Sequence, residues 1–224
     1  MSALEHNPPT ILPICNRPKV YFAYGSNLHL RQMANRCPES RLLGIGRLWG
    51  HRWQINERGY ANVVEHIASH VDGICYLLNE TDEARLDINE GVGVGAYEKQ
   101  ILKLEVLCRP AILVGRDVVQ IVNDGCLDHE RSTADGPDYG LPRKSFKLSS
   151  STQDSQASDF SKGGEFVEAL VYASTRFTKD HYPREEYIGR MNSGFNDAIL
   201  MGISSDYVDS IIKHLTPGVT KYLE

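Results

Sequence analysis

Long apolar runs are missing from this 224-residue chain. No stretch approaches the ~18 consecutive apolar residues that a membrane-spanning helix needs, so no membrane partner is expected. The start, M-S-A-L-E-H-N-P-P-T, has neither the basic residues nor the apolar segment of a secretory signal. A cytoplasmic location is the expectation. Metal-ligand spacing is also missing. The five cysteines, Cys15, Cys37, Cys75, Cys108 and Cys126, are odd in number, widely spaced and never in C-x-x-C. That argues against a disulfide framework or a zinc site, and each reads as a reduced, small core residue. His66 and His70 lie four apart without a zinc-protease pattern and read as loop histidines. No metal and no cofactor is expected. Excess charge is scarce: the net charge of −5 gives no electrostatic reason to expect nucleic acid. No G-x-S-x-G surrounds Ser26, so serine hydrolase chemistry gains no support.

What is present is ordinary globular material, with 41% hydrophobic and 24% charged residues. Residues 1–18 carry four of the ten prolines and read as a flexible tail. Residues 19–224 read as a single domain. Within it, residues 128–165 are rich in Ser, Gly, Asp and Pro, which marks a flexible insertion or a functional loop.

A strand over Val20–Tyr24 breaks at Gly25-Ser26-Asn27 and feeds a helix in which Leu30, Met33, Ala34 and Cys37 share a face. Asn27 is the expected N-cap and Pro38 the stop. From Arg41 to Val64, glycines break the apolar pattern into what reads as short, bent strands. Another strand covers Val71–Leu78. A short helix follows, capped by Thr81, with Asp82 and Glu83 in its first turn, Ala84 and Ile88 on one face, and Gly91 just past its end. Tyr97–Cys108 alternates as a strand. Ile112–Val114 and Val118–Val122 read as a strand pair, and Phe166–Ala173 as another strand. Pro183 opens a helix ending near Gly194. Val208, Ile211, Ile212 and Leu215 mark the last helix. Strands outnumber helices and mostly precede them, which favours an α+β fold. The glycine-interrupted strands suit a small barrel, mixed or antiparallel, with flanking helices.

Two features carry chemistry. The strand ending at Gly25-Ser26-Asn27 leaves backbone N–H groups free at one spot, which favours an anion. Glu90 falls at the end of the short helix, where the helix dipole disfavours a carboxylate. Partial burial raises the pKa further, and a raised carboxylate suits proton transfer near neutral pH. Gly91-Val-Gly-Val-Gly-Ala matches G-x-G-x-x-G/A, but a helix precedes it and a strand follows, the reverse of a dinucleotide site. It reads as an open, flexible loop.

Y-F-A-Y-G-S-N-L followed by E-G-V-x-x-G-x-Y resembles the γ-glutamylcyclotransferase family, also described as AIG2-like or BtrG-like. The resemblance covers about residues 19–127 and 166–216. It implies Glu90 as the catalytic acid/base. It implies Tyr21, Phe22, Ala23, Tyr24, Gly25, Ser26 and Asn27 as the substrate-binding turn, with Tyr97 and Tyr187 beside them. Asn27-Leu28 resembles the branch acting on γ-glutamyl amino acids rather than the glutathione-specific one. The reaction implied is an acyl-transfer cyclisation to 5-oxoproline, with a small γ-glutamyl compound as partner. A bulky glutathione conjugate, admitted by the 128–165 segment, is one alternative substrate. A non-catalytic small-molecule binding module is the other reading, and a homodimer is left open as an assembly.

Overall fold

Two long strands, rather than several short ones, carry the middle of the chain. In the computed structural model, which describes residues 18–108, 112–125 and 164–215, β2 runs through Arg41–Ile55 and β3 through Ala61–Leu78. The glycines between Arg41 and Val64 bend one strand instead of ending several. Register shifts lie between Leu42 and Gly44 and between Trp49 and His51. At the second shift Gly50 takes φ 72°, a conformation that glycine adopts without strain. Around the bends the β2–β3 ladder continues from Arg41↔Leu77 to Ile55↔Ala61.

β1 (Lys19–Ala23) pairs antiparallel with β3. β4 (Glu98–Cys108) pairs antiparallel with β2 and with β5 (Glu165–Ala173). A parallel contact at Tyr21↔Leu170 joins β5 to β1 and closes a five-stranded mixed barrel in the order β1-β3-β2-β4-β5. Closure gives every described strand a partner on both sides over part of its length. The barrel with its flanking helices is the α+β architecture expected from the sequence. Phe22 fills its centre. Gly46 and Gly73 face each other across β2 and β3, and a Cβ on Gly73 would stand 2.3 Å from the Ala23 carbonyl oxygen and 2.7 Å from the Phe22 ring.

The helices partly depart from expectation. α1 (Leu30–Arg36) begins two residues later than an Asn27 cap would place it. Its first N–H, on Leu30, donates to the carboxylate of Asp197 at 2.8 Å. α2 (Glu80–Asn89) is capped by Asn79, whose side chain accepts from Asp82 N–H at 2.8 Å, while Thr81 lies exposed inside the helix. The face shared by Ala84 and Ile88 points to solvent. The buried face carries Asp82, Glu83 and Leu86, and its acids are satisfied by Glu39 N–H, Lys19 and Lys99.

Val118–Asn123 forms α3, a helix where a strand was expected. Val118 and Ile121 are fully buried, one helical turn apart, in a helix packed against α1. Tertiary packing here overrides the strand preference of β-branched residues. The expected hairpin partner is also different: Gly115 and Arg116 bond to Leu42 at the start of β2. His66 and His70 lie within β3, not in a loop.

α4 (Glu185–Met201) begins two residues after Pro183 and runs on through Gly194. Gly194 serves close packing, since a Cβ there would sit 3.1 Å from Leu28 Cβ and 3.2 Å from His29 N. α5 (Ser205–Leu215) buries Val208, Ile211 and Leu215. Residues 1–17 of the expected tail and 128–163 of the expected insertion lie outside the described residues, as does any role of that insertion in admitting a conjugate. No described helix is long and apolar enough to cross a membrane.

Candidate active site

β1 ends at Ala23, and the chain turns through a 3₁₀ turn at Ser26–Leu28 before α1. The tight turn returns Leu28 N–H and His29 N–H to the carbonyls of Gly25 and Ser26, at 2.9 and 3.1 Å. The Gly25 and Asn27 N–H groups meet no acceptor among the described residues. Gly25 is glycine because Tyr187, from the first turn of α4, presses on it: a Cβ would lie 2.9 Å from the Tyr187 hydroxyl. Backbone groups of Ala61 and Ser26 hydrogen-bond that hydroxyl.

Glu90 arrives from the other side. It is the C-cap of α2, with its N–H donating to Leu86 O at 2.8 Å. Gly91 then turns left-handed at φ 67°, a turn that would strain any residue with a Cβ. The two sequence features meet directly. Asn27 Nδ2 donates to Glu90 Oε1 at 3.0 Å and to the Tyr21 hydroxyl at 2.8 Å. Asn27 is itself pinned. Its Oδ1 accepts from Gln32 Nε2 and Arg36 Nη1, both at 2.9 Å, and its carbonyl accepts from the Tyr76 hydroxyl at 3.0 Å. Gln32 also donates to Ser26 Oγ at 2.9 Å. Arg36 Nη1 stands 3.5 Å from Glu90 Oε1.

A cavity of about 250 Å³ opens over this junction. Tyr21, Tyr24, Gly25, Ser26, Asn27, Glu90, Tyr97 and Tyr187 all line it. Phe22 and Ala23, expected with them, do not. Both are buried in the barrel wall, where the Phe22 ring packs against the strand carrying Gly73. Strand alternation turns Phe22 to the face opposite Tyr21, and Ala23, on the Tyr21 face, has no side chain beyond its methyl to reach the cavity. Tyr97 donates its hydroxyl to Ala61 O at 2.6 Å, so it braces the cavity wall rather than bonding to Glu90. Tyr24 donates to the Tyr172 carbonyl.

The electrostatics single out Glu90. Its side chain is only 17% exposed, and burial raises its carboxyl above the ordinary carboxylate range. Arg36, the Asn27 hydrogen bond, Arg190 and Arg58 pull in the opposite direction without cancelling the effect. The tyrosine hydroxyls of Tyr21, Tyr24, Tyr97 and Tyr187 are all raised by burial and remain protonated. A buried carboxyl with a raised pKa, neutral hydroxyls and an N–H-bearing turn together suit proton exchange with a bound polar ligand.

Arg36, Arg58, Tyr60, Tyr172 and Arg190 are among the further residues that line the cavity without having stood out in the sequence. Arg36 had a readable signal, since Gln32 and Arg36 are spaced i, i+4 on α1 and share a face. The others arrive from the β2–β3 turn, from β5 and from α4, and nothing local marks them. Among the described residues no group of three His, Cys, Asp or Glu is arranged to hold a metal ion.

No protein-family model matches the chain, and no curated protein does. Solved structures do. A gamma-glutamyl cyclotransferase superposes with a TM-score of 0.56 and 16% identity, over 87% of this chain and 86% of its own. An uncharacterized protein from Homo sapiens gives 0.56 and 16%, over 88% and 87%. YkqA from Bacillus subtilis gives 0.55 and 15%, over 89% of this chain and 54% of its own length. The chain shares the fold of these structures, and identities this low carry the fold alone.

Proposed function

We propose that the chain is a γ-glutamylcyclotransferase acting on a γ-glutamyl amino acid or peptide. The observation that carries this reading is the 3.0 Å hydrogen bond from Asn27 Nδ2 to Glu90 Oε1. It joins the two chemistry-bearing motifs picked out in the sequence at one cavity, in a protein with the fold of a gamma-glutamyl cyclotransferase.

In this reaction the nucleophile belongs to the substrate. Glu90 takes a proton from the α-ammonium, and the freed amine attacks the substrate's own γ-carbonyl carbon. The new C–N bond closes a five-membered ring. The original amide C–N bond then breaks as Glu90 returns the proton to the leaving nitrogen, and the ring nitrogen gives up its second ammonium proton, which leaves with the amine as its ammonium form. The products are 5-oxoproline and the free amine. The raised pKa of Glu90 suits both halves of this shuttle. The Gly25 and Asn27 N–H groups would receive the α-carboxylate or the developing oxyanion. Holding the chain folded on itself supplies proximity worth about 7–11 kcal/mol in favourable cases.

The test is 5-oxoproline release from γ-glutamyl dipeptides, glutathione, a γ-glutamyl amine and a glutathione conjugate. Glu90→Gln keeps the side-chain shape and removes the base. The expected result is turnover of at least one substrate by the wild type and a loss of about 10²-fold or more in kcat in the variant. Wild-type turnover by Glu90→Gln overturns the reading.

A further inference from the structure

Three arginines line the cavity, and only one of them lacks a polar partner. Arg36 is held by Asn27 Oδ1 at 2.9 Å and stands beside Glu90. Arg190 is held by Glu186, with Nη2 3.1 Å from Oε2. The Arg58 guanidinium makes no hydrogen bond and no ion pair among the described residues, and its Nη1 is buried without a partner. What surrounds it is aromatic. The guanidinium carbon lies 5.7 Å from the Tyr60 ring centre, 5.6 Å from Tyr97 and 5.7 Å from Phe177.

The backbone under Arg58 is fixed from several sides. Its N–H donates to Asn56 Oδ1 at 3.0 Å, and its carbonyl accepts from Arg184 Nε at 2.9 Å. Gly59 N–H closes the turn on Asn56 O at 2.8 Å, and Gly59 O accepts Arg184 N–H at 3.1 Å. A rigid turn therefore presents a cation, framed by rings, to the cavity. Leaving buried guanidinium donors unpaired is costly, and a planar carboxylate is the ligand that the guanidinium fork fits best, through two parallel hydrogen bonds.

We infer that Arg58 binds the carboxylate of the leaving amino acid, so that the substrate is a γ-glutamyl compound bearing a free carboxylate on the amine side. This rests on the cyclotransferase reading. There the α-ammonium and α-carboxylate share one carbon, so both belong beside Glu90 and the Gly25–Asn27 turn. Arg58 forms no ion pair with Glu90 among the described residues, although its charge is felt there, so its guanidinium keeps its donors for a second carboxylate. The one substrate charge still without a partner is the carboxylate beyond the scissile amide. The charge balance agrees. With Arg190 matched by Glu186 and Arg36 by Glu90, Arg58 leaves one positive charge over, which suits a substrate with two carboxylates and one ammonium. A γ-glutamyl amine, with no second carboxylate, leaves Arg58 unneutralised.

The test compares γ-glutamyl-alanine with γ-glutamyl-alaninamide, which differ only in that carboxylate. The expected wild-type kcat/KM favours the acid by ten- to a hundredfold, mostly through KM. In Arg58→Gln the acid-to-amide ratio collapses toward one through loss on the acid side, and Arg58→Lys retains part of it. Equal wild-type use of the two compounds overturns the inference, as does an Arg58→Gln variant that lowers both by the same factor. Calorimetric binding of the same pair to Glu90→Gln reads the carboxylate preference without turnover. An Arg58-dependent preference in binding with no 5-oxoproline from any substrate keeps the carboxylate subsite and removes the cyclotransferase. Glu90-dependent turnover without that preference does the reverse.

Discussion

Asn27 Nδ2 bridges Tyr21 and Glu90, at 2.8 Å from the hydroxyl of one and 3.0 Å from the carboxylate of the other. The amide thus supports the ionised form of Glu90 while tying it to the first strand of the barrel. Asn27→Ala removes that support. Its effect on Glu90 is a further rise in pKa, because the Asn27 hydrogen bond is one of the influences holding it down. The acid limb of the pH–rate profile for 5-oxoproline release moves to higher pH. Carboxyl-carbon NMR titration of Glu90 shows the same displacement without reference to turnover. Because Asn27 is buried and its partners lose a shared donor, the variant also loses about 1–3 kcal/mol of stability. An unmoved titration would show that burial and the nearby arginines, not Asn27, set the charge of Glu90.

Glu90→Gln is expected to gain stability as it loses activity. In the unfolded chain Glu90 titrates near the ordinary glutamate value of about 4.3. In the folded protein burial raises it. The stability associated with the protonated form is fully present below the unfolded value and is lost as pH rises through the folded one. A glutamine carries no charge to lose, and its amide oxygen still accepts from Asn27. Urea unfolding near neutral pH should therefore find the variant more stable than wild type, and the two should converge below about pH 4. A less stable variant at neutral pH would mean that the Arg36 and Asn27 contacts outweigh burial.

Gly73→Ala and Gly93→Ala separate a packing glycine from a tolerant one. The new methyl at position 73 would meet the Ala23 carbonyl at 2.3 Å and the Phe22 ring at 2.7 Å. Backbone cannot step aside as a flexible side chain can, so the expected cost is about 3 kcal/mol. The displaced strand is the one that leads into the Gly25–Asn27 turn, so activity falls as well. At position 93 nothing lies within 4 Å of the new methyl, and the change should stay within about 0.5 kcal/mol. Chemical denaturation of both variants reads the difference.

Cys37 and Cys75 are fully buried cysteines. Burial and the neighbouring Asp82 push the Cys37 thiol up to about 12, so almost none of it is thiolate at about pH 8. Site-resolved mass spectrometry after iodoacetamide should find both residues unmodified in the folded protein and modified after denaturation. Rapid labelling of Cys37 under native conditions would contradict the packing of α1 against α2.

The site was legible in the sequence where local rules decide, and illegible where distant elements do. The turn after β1 and the left-handed Gly91 behind Glu90 follow from glycine chemistry within a few residues. Arg58 and Tyr172 enter the cavity only because strands far apart in sequence pair in one barrel, and no local pattern marks them. Misreadings of the fold follow the same division. Val118–Val122 has a strand's composition, and only contact with α1 makes it a helix. Asn79 rather than Thr81 caps α2, in line with the stronger N-cap preference of asparagine. Gly44 and Gly50 were visible as interruptions, but whether a glycine ends a strand or bends it depends on the partner strand continuing past it, as β3 does.

The parallel seam between β1 and β5 imposes an order of events on synthesis. Tyr21, Asn27 and Glu90 are all translated early, yet the Tyr24 hydroxyl waits for the carbonyl of Tyr172 and the wall of the cavity waits for Tyr187. Contacts between such distant residues make folding slow. A ribosome-bound chain that has not released its last strand holds Glu90 and the Gly25–Asn27 turn but has no closed chamber to put them in.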